Sequence, residues 1–262
     1  FQAEDGIRDF LLSLVGSEMC IRDRSPTIKG IRFELDHPMQ FQAGQYINLN
    51  MPGVEGARAF SIANKPSDDT VLELHVRRVP EGAGTGYIHE QLKVGDTLQV
   101  SGPYGQFFTR KSAPEDLIFI AGGSGLSSPQ SMVLDLLEHG DSRKITLLQG
   151  ARNLSELDNR ELFEHLAEQH ANFTYVPALD NPLPEDNWGG FSGYVHEAAI
   201  DHCNGRFEGH KAYLCGPPPM IDAAITALMQ GRLFERDIFM ERFLTAADGA
   251  EGATKSALFK KI

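Results

Sequence analysis

Residues 116–129 read DLIFIAGGSGLSSP. An apolar run from Leu117 to Ala121 ends in Gly122 and Gly123, and Gly125 and three serines follow. A short continuous apolar run closed by glycine is the pattern of a strand buried on both faces. Bare backbone at the carboxyl end of such a strand, just before a helix, lets a pyrophosphate approach the amide groups closely. The standard dinucleotide fingerprint is not met. Gly123-Ser124-Gly125 starts a G-x-G, but Ser128 stands where the third glycine belongs.

Downstream the period is helical, then apolar, in alternation. Met132, Val133, Leu136 and Leu137 fall at helical spacing within 128–139. KITLLQGA (144–151) predicts a second buried strand, and Leu162, Phe163, Leu166 and Ala167 mark one helical face within 156–169. NFTYVPAL (172–179), KAYLCG (211–216) and DIFMERF (237–243) predict further strands, with helices over 194–203 and 219–230. Strands alternating with helices imply a parallel, doubly wound sheet, whose ligands bind beyond the carboxyl ends of its strands. No acid closes the second strand. Gly150, Ala151 and Arg152 stand there, so a ribose 2′-hydroxyl would need Glu156 after a loop turn, while Arg152 could face a 2′-phosphate.

Upstream the period is two. Ile31, Phe33 and Leu35, then Ile47, Leu49 and Met51, then Leu72, Leu74 and Val76 alternate with polar residues. HP (37–38), PG (52–53), KPSDD (65–69), VGD (94–96) and GPYG (102–105) break the runs. Short strands so spaced predict an antiparallel barrel or sandwich. RAFS (58–61) puts the fork of Arg58, the ring of Phe60 and the hydroxyl of Ser61 together. EGAGTGYI (81–88) supplies glycines, Thr85 and a helix start. A cation, a stacking ring and an amide nest together describe the site of a dinucleotide such as a flavin.

Composition bounds the rest. The 262 residues carry a net charge of −12, which argues against a nucleic-acid footprint. No run of 18 apolar residues indicates a membrane span. Cys20, Cys203 and Cys215 are the only cysteines, an odd, sparse set that fits a reducing cytoplasm and offers no metal spacing. Neither His165/His170 nor His196/His202 has i,i+4 ligand spacing. Residues 1–24, FQAEDGIRDFLLSLVGSEMCIRDR, resemble the translated read-through of a sequencing-library adapter. They are expected to lie outside the fold, with Ser25 a truncation point.

RAFS, the G-x-x-T loop, AGGSGLSSPQS and YLCGPPPM, in that order, resemble the ferredoxin–NADP reductase-like superfamily. GQYINL, GPYGQFF, CGPPPMIDAAI and FERDIFMERF are closer still to the reductase components of multicomponent phenol hydroxylases. The resemblance spans about residues 25–247. It implies two domains: an antiparallel β-barrel binding FAD over 25–112, then a doubly wound α/β sheet binding NAD over 113–247, with a tail at 248–262. By resemblance, Arg58 pairs with the FAD pyrophosphate, which Gly82 and Thr85 cap. Phe60 and Ser61 lie along the isoalloxazine, with Ser61 near N5, and His75, Val76 and Arg77 line the flavin or its ribityl chain. Gly122, Gly123, Ser124 and Gly125 form the NADH pyrophosphate turn, and Arg152 meets the adenosine ribose. Cys215, Gly216 and Pro217 frame the nicotinamide, and Phe243 covers the flavin. Glu241 and Ser61 are candidates for tuning flavin N5. Ser61, Cys215, Glu241 and Phe243 are thus the candidate catalytic set.

The resemblance also implies partners. Electrons would pass from NADH through FAD to a ferredoxin-type [2Fe–2S] domain and on to a diiron hydroxylase. The C-x4-C-x2-C…C ligand set of such a cluster is not present here and is expected to be lost with the truncation. One barrel strand is expected to be lost too, leaving a bare sheet edge. Alternatives are a stand-alone flavin reductase, another oxygenase reductase, or a flavin-binding electron-transfer subunit without turnover of its own. Phe107 and Phe108 are expected in the barrel core and Cys215 as an inert buried thiol. The tail is expected to be partly ordered, the alternative being that Leu258, Phe259, Lys260 and Lys261 dock on this chain or a partner.

Overall fold

The structure, a computed structural model, describes residues 12–14 and 20–243. Seven strands form the amino-terminal domain: β1 (Leu12–Leu14), β2 (Cys20–Ser25), β3 (Ile28–Glu34), β4 (Tyr46–Asn50), β5 (Arg58–Ser61), β6 (Val71–Arg77) and β7 (Leu98–Tyr104). They make two antiparallel sheets, ordered β1-β7-β4-β5 and β2-β3-β6, and a bridge between Ile62 and Leu74 joins them beyond β5. The alternation sorts the side chains as a pleated strand must. Ile31, Phe33, Ile47, Leu49, Leu72, Leu74 and Val76 fill one core, and Tyr87 and Ile88 of α1 (Ala83–Glu90) pack into it. On β6 the other face carries Glu73, His75 and Arg77, and these meet the second domain.

That domain runs β8 (Asp116–Gly122), α2 (Ser127–Glu138), β9 (Ile145–Ala151), α3 (Arg160–Gln169), β10 (Phe173–Leu179), β11 (Phe191–Ser192), α4 (Val195–His202), β12 (His210–Gly216), α5 (Pro218–Gln230) and β13 (Ile238–Arg242). Its six strands are parallel, in the order β11-β10-β9-β8-β12-β13. The chain steps outward from β8 to β11, then returns to lay β12 on the other side of β8. The switch point therefore falls between β8 and β12. Along β8, Leu117 and Phe119 join one core cluster while Ile118 and Ile120 join the cluster on the opposite face. That double burial is why the strand reads as an unbroken apolar run.

Several expectations are corrected. Residues 1–24 do not all lie outside the fold. β1 pairs with β7 and β2 pairs with β3, so the expected bare edge is covered. Ile21 packs on the barrel core, and Arg24 bonds Glu73, Asp158 and Asn159. GPYG does not break the strand at its first glycine, because β7 runs through Gly102 and Pro103 and ends at Tyr104. Gly102, at φ +149, lies against Ile47 where a Cβ would meet its side chain, so glycine lets the ladder pass with a register shift. The helix expected from 156 starts at Arg160, after a short turn at Leu154–Glu156 and a left-handed Asn159 (φ 56). Phe107 belongs to the second domain's core, edge-on to Tyr213 at 6.1 Å, and not to the barrel. The tail residues Leu258 to Lys261 lie outside the described residues.

Interdomain contacts come mainly from α2 and β6. Gln130 Nε2 donates to Ala63 O at 3.2 Å and Ser131 Oγ to Asn64 O at 2.6 Å, both buried. Among the described residues no helix is long and apolar enough to cross a membrane, and no cluster suits a metal ion.

Candidate active site

A cleft of about 1060 Å³ opens where the carboxyl ends of β8, β9, β12 and β13 face the β5–β6 edge of the barrel. This is the switch point of the parallel sheet, where such folds bind ligands. The barrel contributes Tyr46, Phe60, Ser61, Arg77 and Thr85, and the sheet contributes Gly122, Gly123, Ser124, Arg152, Pro217, Glu241 and Phe243. His75 reaches it through main chain alone: the residue is 5% exposed and its side chain 0%. The ring turns away to Asp158 and Glu73.

Four residues converge at the cleft floor. Glu241, on β13, accepts at Oε2 from Ser61 Oγ (3.3 Å), Ser128 Oγ (3.1 Å) and, at 3.7 Å, the Cys215 thiol. β12 and β13 are in register at Cys215 and Glu241, which sets thiol and carboxylate side by side. Burial raises the Glu241 carboxyl above the usual carboxylate range, against the three donors, which favour its charged form. Burial first, and the neighbouring Glu241 next, push the Cys215 thiol well up, so it stays a neutral donor.

The groups present fit a dinucleotide pyrophosphate. Gly123 sits at φ +58 beneath Arg77, and a Cβ there would stand 2.8 Å from the guanidinium. A Cβ on Gly122 would stand 2.6 Å from Met220 Sδ. Any side chain would thus fill the turn. Arg77 Nε is buried there without a hydrogen-bond partner, although its Nη2 lies 3.5 Å from Glu156. An unpaired donor beside bare backbone is suited to a phosphate oxyanion.

Other expected residues fall elsewhere. Arg58 does not enter the cleft. Its guanidinium donates to the carbonyls of Glu55 (2.9 Å), Gly56 (3.1 Å) and Ala57 (3.2 Å), and its stem lies over Gly84. Gly82 caps α1 with Thr85 Oγ1 donating to its carbonyl, and only Thr85 reaches the cleft. Val76 lines the cleft's edge, but its side chain is core. Gly125 is not part of the phosphate turn's surface. It is buried against the Cys215 and Gly216 backbone, which approaches because no Cβ intervenes. Cys215 and Gly216 lie behind the cleft, leaving Pro217 at its wall.

Three features were not read from sequence. Ser128 was visible only as a departure from the fingerprint, and its fully buried hydroxyl bonds Glu241. Asp180 is the acid at a strand end, but of β10 and not β9, and it lines the cleft near Arg152. Asp180 N donates to Ala151 O (3.0 Å) and Asn181 N to Arg152 O (2.8 Å), tying the two loops together. Tyr194 and His196 stack 5.8 Å apart at the same wall.

Comparison with known proteins bears on the same two halves. Residues 21–109 match the oxidoreductase FAD-binding domain family, and residues 119–226 match the oxidoreductase NAD-binding domain family. The chain is 69% identical over 240 residues to the phenol 2-monooxygenase reductase component DmpP of Pseudomonas sp. (strain CF600), covering 92% of this chain and 68% of that protein. It is 66% identical over 242 residues to the phenol hydroxylase P5 protein of Acinetobacter pittii (strain PHEA-2), covering 92% and 69%. A solved ferredoxin reductase in carbazole 1,9a-dioxygenase shares the fold, with a TM-score of 0.78 at 24% identity over 89% of this chain and 69% of that one.

Proposed function

The chain belongs to the ferredoxin–NADP reductase-like family of FAD- and NAD-binding oxidoreductases, and on that premise we propose that it is the reductase of a phenol hydroxylase system. It is an NADH oxidoreductase with FAD as cofactor, and it serves an oxygenase. In our reading its immediate electron acceptor is a ferredoxin-type [2Fe–2S] centre, its final one a diiron hydroxylase, and its compartment the cytoplasm. The observation that carries this is the cleft between the two domains. One wall is the barrel edge ending in Phe60 and Ser61, and the other is the switch point of the parallel sheet.

A bound FAD would supply the means to take up a hydride from NADH and to pass on its electrons one at a time. The chain's own residues do the rest. Thr85 and Arg77, which line the cleft, would hold phosphate. Phe60, Tyr46 and Phe243 provide apolar surface for the flat ring systems and exclude water. Gly122, Gly123 and Ser124 present main-chain and hydroxyl groups to the second pyrophosphate. Ser61 presents lone pairs or its proton to the flavin edge. Glu241 holds Ser61 and stands ready to take or return a proton, because burial keeps its affinity for protons above that of an ordinary glutamate.

The test is an anaerobic visible spectrum of the purified chain with FAD, before and after NADH. Flavin bands that bleach at low NADH are the expected result. Bound flavin that NADH leaves unchanged would instead make this an electron-transfer subunit without turnover.

We further assign nucleotide choice to Asp180. A carboxylate at the adenosine end accepts from a ribose 2′-hydroxyl and repels a 2′-phosphate. Like-charge juxtaposition costs several kcal/mol. Asp180→Ser should therefore raise kcat/KM for NADPH relative to NADH by at least ~10-fold. An unchanged ratio would remove Asp180 from discrimination and return the question to Arg152 and Glu156.

A further inference from the structure

We propose that Ser128 is a positioning residue that fixes Glu241 Oε2, so that Ser61 can turn its one proton toward a bound flavin without freeing the glutamate. The inference rests on the placement of the flavin edge against Ser61. A serine hydroxyl has a single proton. In the structure Ser61 spends it on Glu241, across the interdomain cleft, at 3.3 Å. If Ser61 donates to a ligand instead, Glu241 loses that donor. The carboxylate would then be held only by what remains.

What remains is Ser128. Its hydroxyl is fully buried, donates to the same Oε2 at 3.1 Å, and comes from the first turn of α2 in the same domain as Glu241. Domain movement and ligand entry therefore leave it in place. Cys215 is the third donor, but a thiol is a weak one and its 3.7 Å contact is long. Ser61, by contrast, belongs to the barrel and lines the cleft. The two serines thus differ in what they can do. Ser61 is exchangeable between glutamate and ligand, and Ser128 is permanent. The position also explains the departure noted in the sequence, since a third glycine at 128 would leave Glu241 without its fixed donor.

A hydrogen bond to the charged form of an acid favours that form, so its loss must tighten proton binding. The test follows the Glu241 carboxyl by carbon-13 NMR in the cofactor-free 262-residue chain, its signal identified by its disappearance in Glu241→Gln. Ser128→Ala should raise the Glu241 midpoint by about one pH unit, a tenfold tighter proton affinity. Ser128→Thr, which keeps the hydroxyl, should restore it. In the FAD-loaded chain, Ser128→Ala should shift the pH profile of flavin bleaching by NADH in the same direction and leave KM for NADH unchanged. If Ser128→Ala does not fold, Ser128→Cys keeps the shape with a weaker donor and should give an intermediate midpoint. A parental midpoint in Ser128→Ala or Ser128→Cys, or a Thr variant that behaves as Ala, overturns the assignment. The first titration needs no FAD, so a chain that fails to be reduced would sink the functional reading and leave this result legible on its own.

Discussion

A His75→Ala chain is expected to lose about 3–5 kcal/mol of unfolding free energy, the cost of leaving buried charges without their partner. The His75 side chain is fully buried between two carboxylates, with Nε2 3.0 Å from Glu73 Oε1 and Nδ1 3.2 Å from Asp158 Oδ2. Glu73 lies beside it in the barrel, whereas Asp158 belongs to the second domain. Arg24 completes the group by reaching Glu73, Asp158 and Asn159. Burial alone would depress the His75 pKa. Asp158 first and Glu73 next reverse this and hold it above the ordinary histidine range, against Arg24. Burial would raise both acids, but the imidazolium and Arg24 hold Asp158 and Glu73 below theirs.

The signs fix a window. A raised histidine contributes stability that is complete below its unfolded pKa of about 6.5 and is lost as pH rises through the folded value. The lowered acids contribute stability that is complete above about 4.3 and is lost as pH falls through their folded values. The cluster is therefore at full strength between about pH 4.5 and 6.5 and weakens on both sides. Urea unfolding of the parent and His75→Ala across pH 5 to 9 tests this. The difference between them should be largest near the acid end of that range and should shrink toward pH 9. A loss under about 1 kcal/mol at pH 6, or a difference that does not change with pH, would mean that the cluster does not join the domains.

Gly125→Val should cost still more, and it should remove NADH binding along with stability. A Cβ at 125 would stand 2.6 Å from the Cys215 carbonyl carbon and 2.7 Å from Gly216 Cα. Both are backbone atoms of β12, the strand that pairs with β8 at the switch point. They cannot rotate away as a side chain would. The single methyl of Gly125→Ala already costs about 1–3 kcal/mol by overpacking, and valine adds two more carbons at the same spot. Pushing β12 outward also moves Cys215 and Pro217, hence the donor to Glu241 and one wall of the cleft. Gly189→Ala is the control, since nothing lies within 4 Å of a Cβ there. It should change stability by less than about 0.5 kcal/mol. Thermal midpoints with and without NADH decide the matter. A Gly125→Val chain that melts like Gly189→Ala and still responds to NADH would show that the close approach is not needed.

The second domain was legible because its signals are local. The central strands β8 and β12, and most of β9, are buried on both faces, so hydrophobic continuity alone marks them, and glycines follow at their strand ends. The barrel's β3, β4 and β6 were legible for a related reason, since one face is buried and the alternation is written in the chain. β11 was not, because two residues, Phe191 and Ser192, carry no period. β7 past Gly102 was obscured because glycine and proline read as a break until a neighbouring strand supplies the bulge.

The chemistry divides in the same way. RAFS and AGGSG announce phosphate and flat rings because backbone freedom and residue type act within a few positions. Which carboxylate meets which hydroxyl is not written locally. Ser61, Ser128, Cys215 and Glu241 come from four separate elements, and only the pairing of β12 with β13 and the seating of the barrel on α2 brings them to one oxygen. His75 shows the same limit most plainly. Its place on the period-two strand β6 was readable, and its main chain does line the cleft. The direction of its ring depends on which domain covers the odd-numbered face of β6. Sequence spacing determines faces and strand ends, through sterics and burial that each segment carries with it. Long-range packing decides partners, because the energy of a buried charge or a single hydroxyl depends on atoms that the chain brings near only after it has folded.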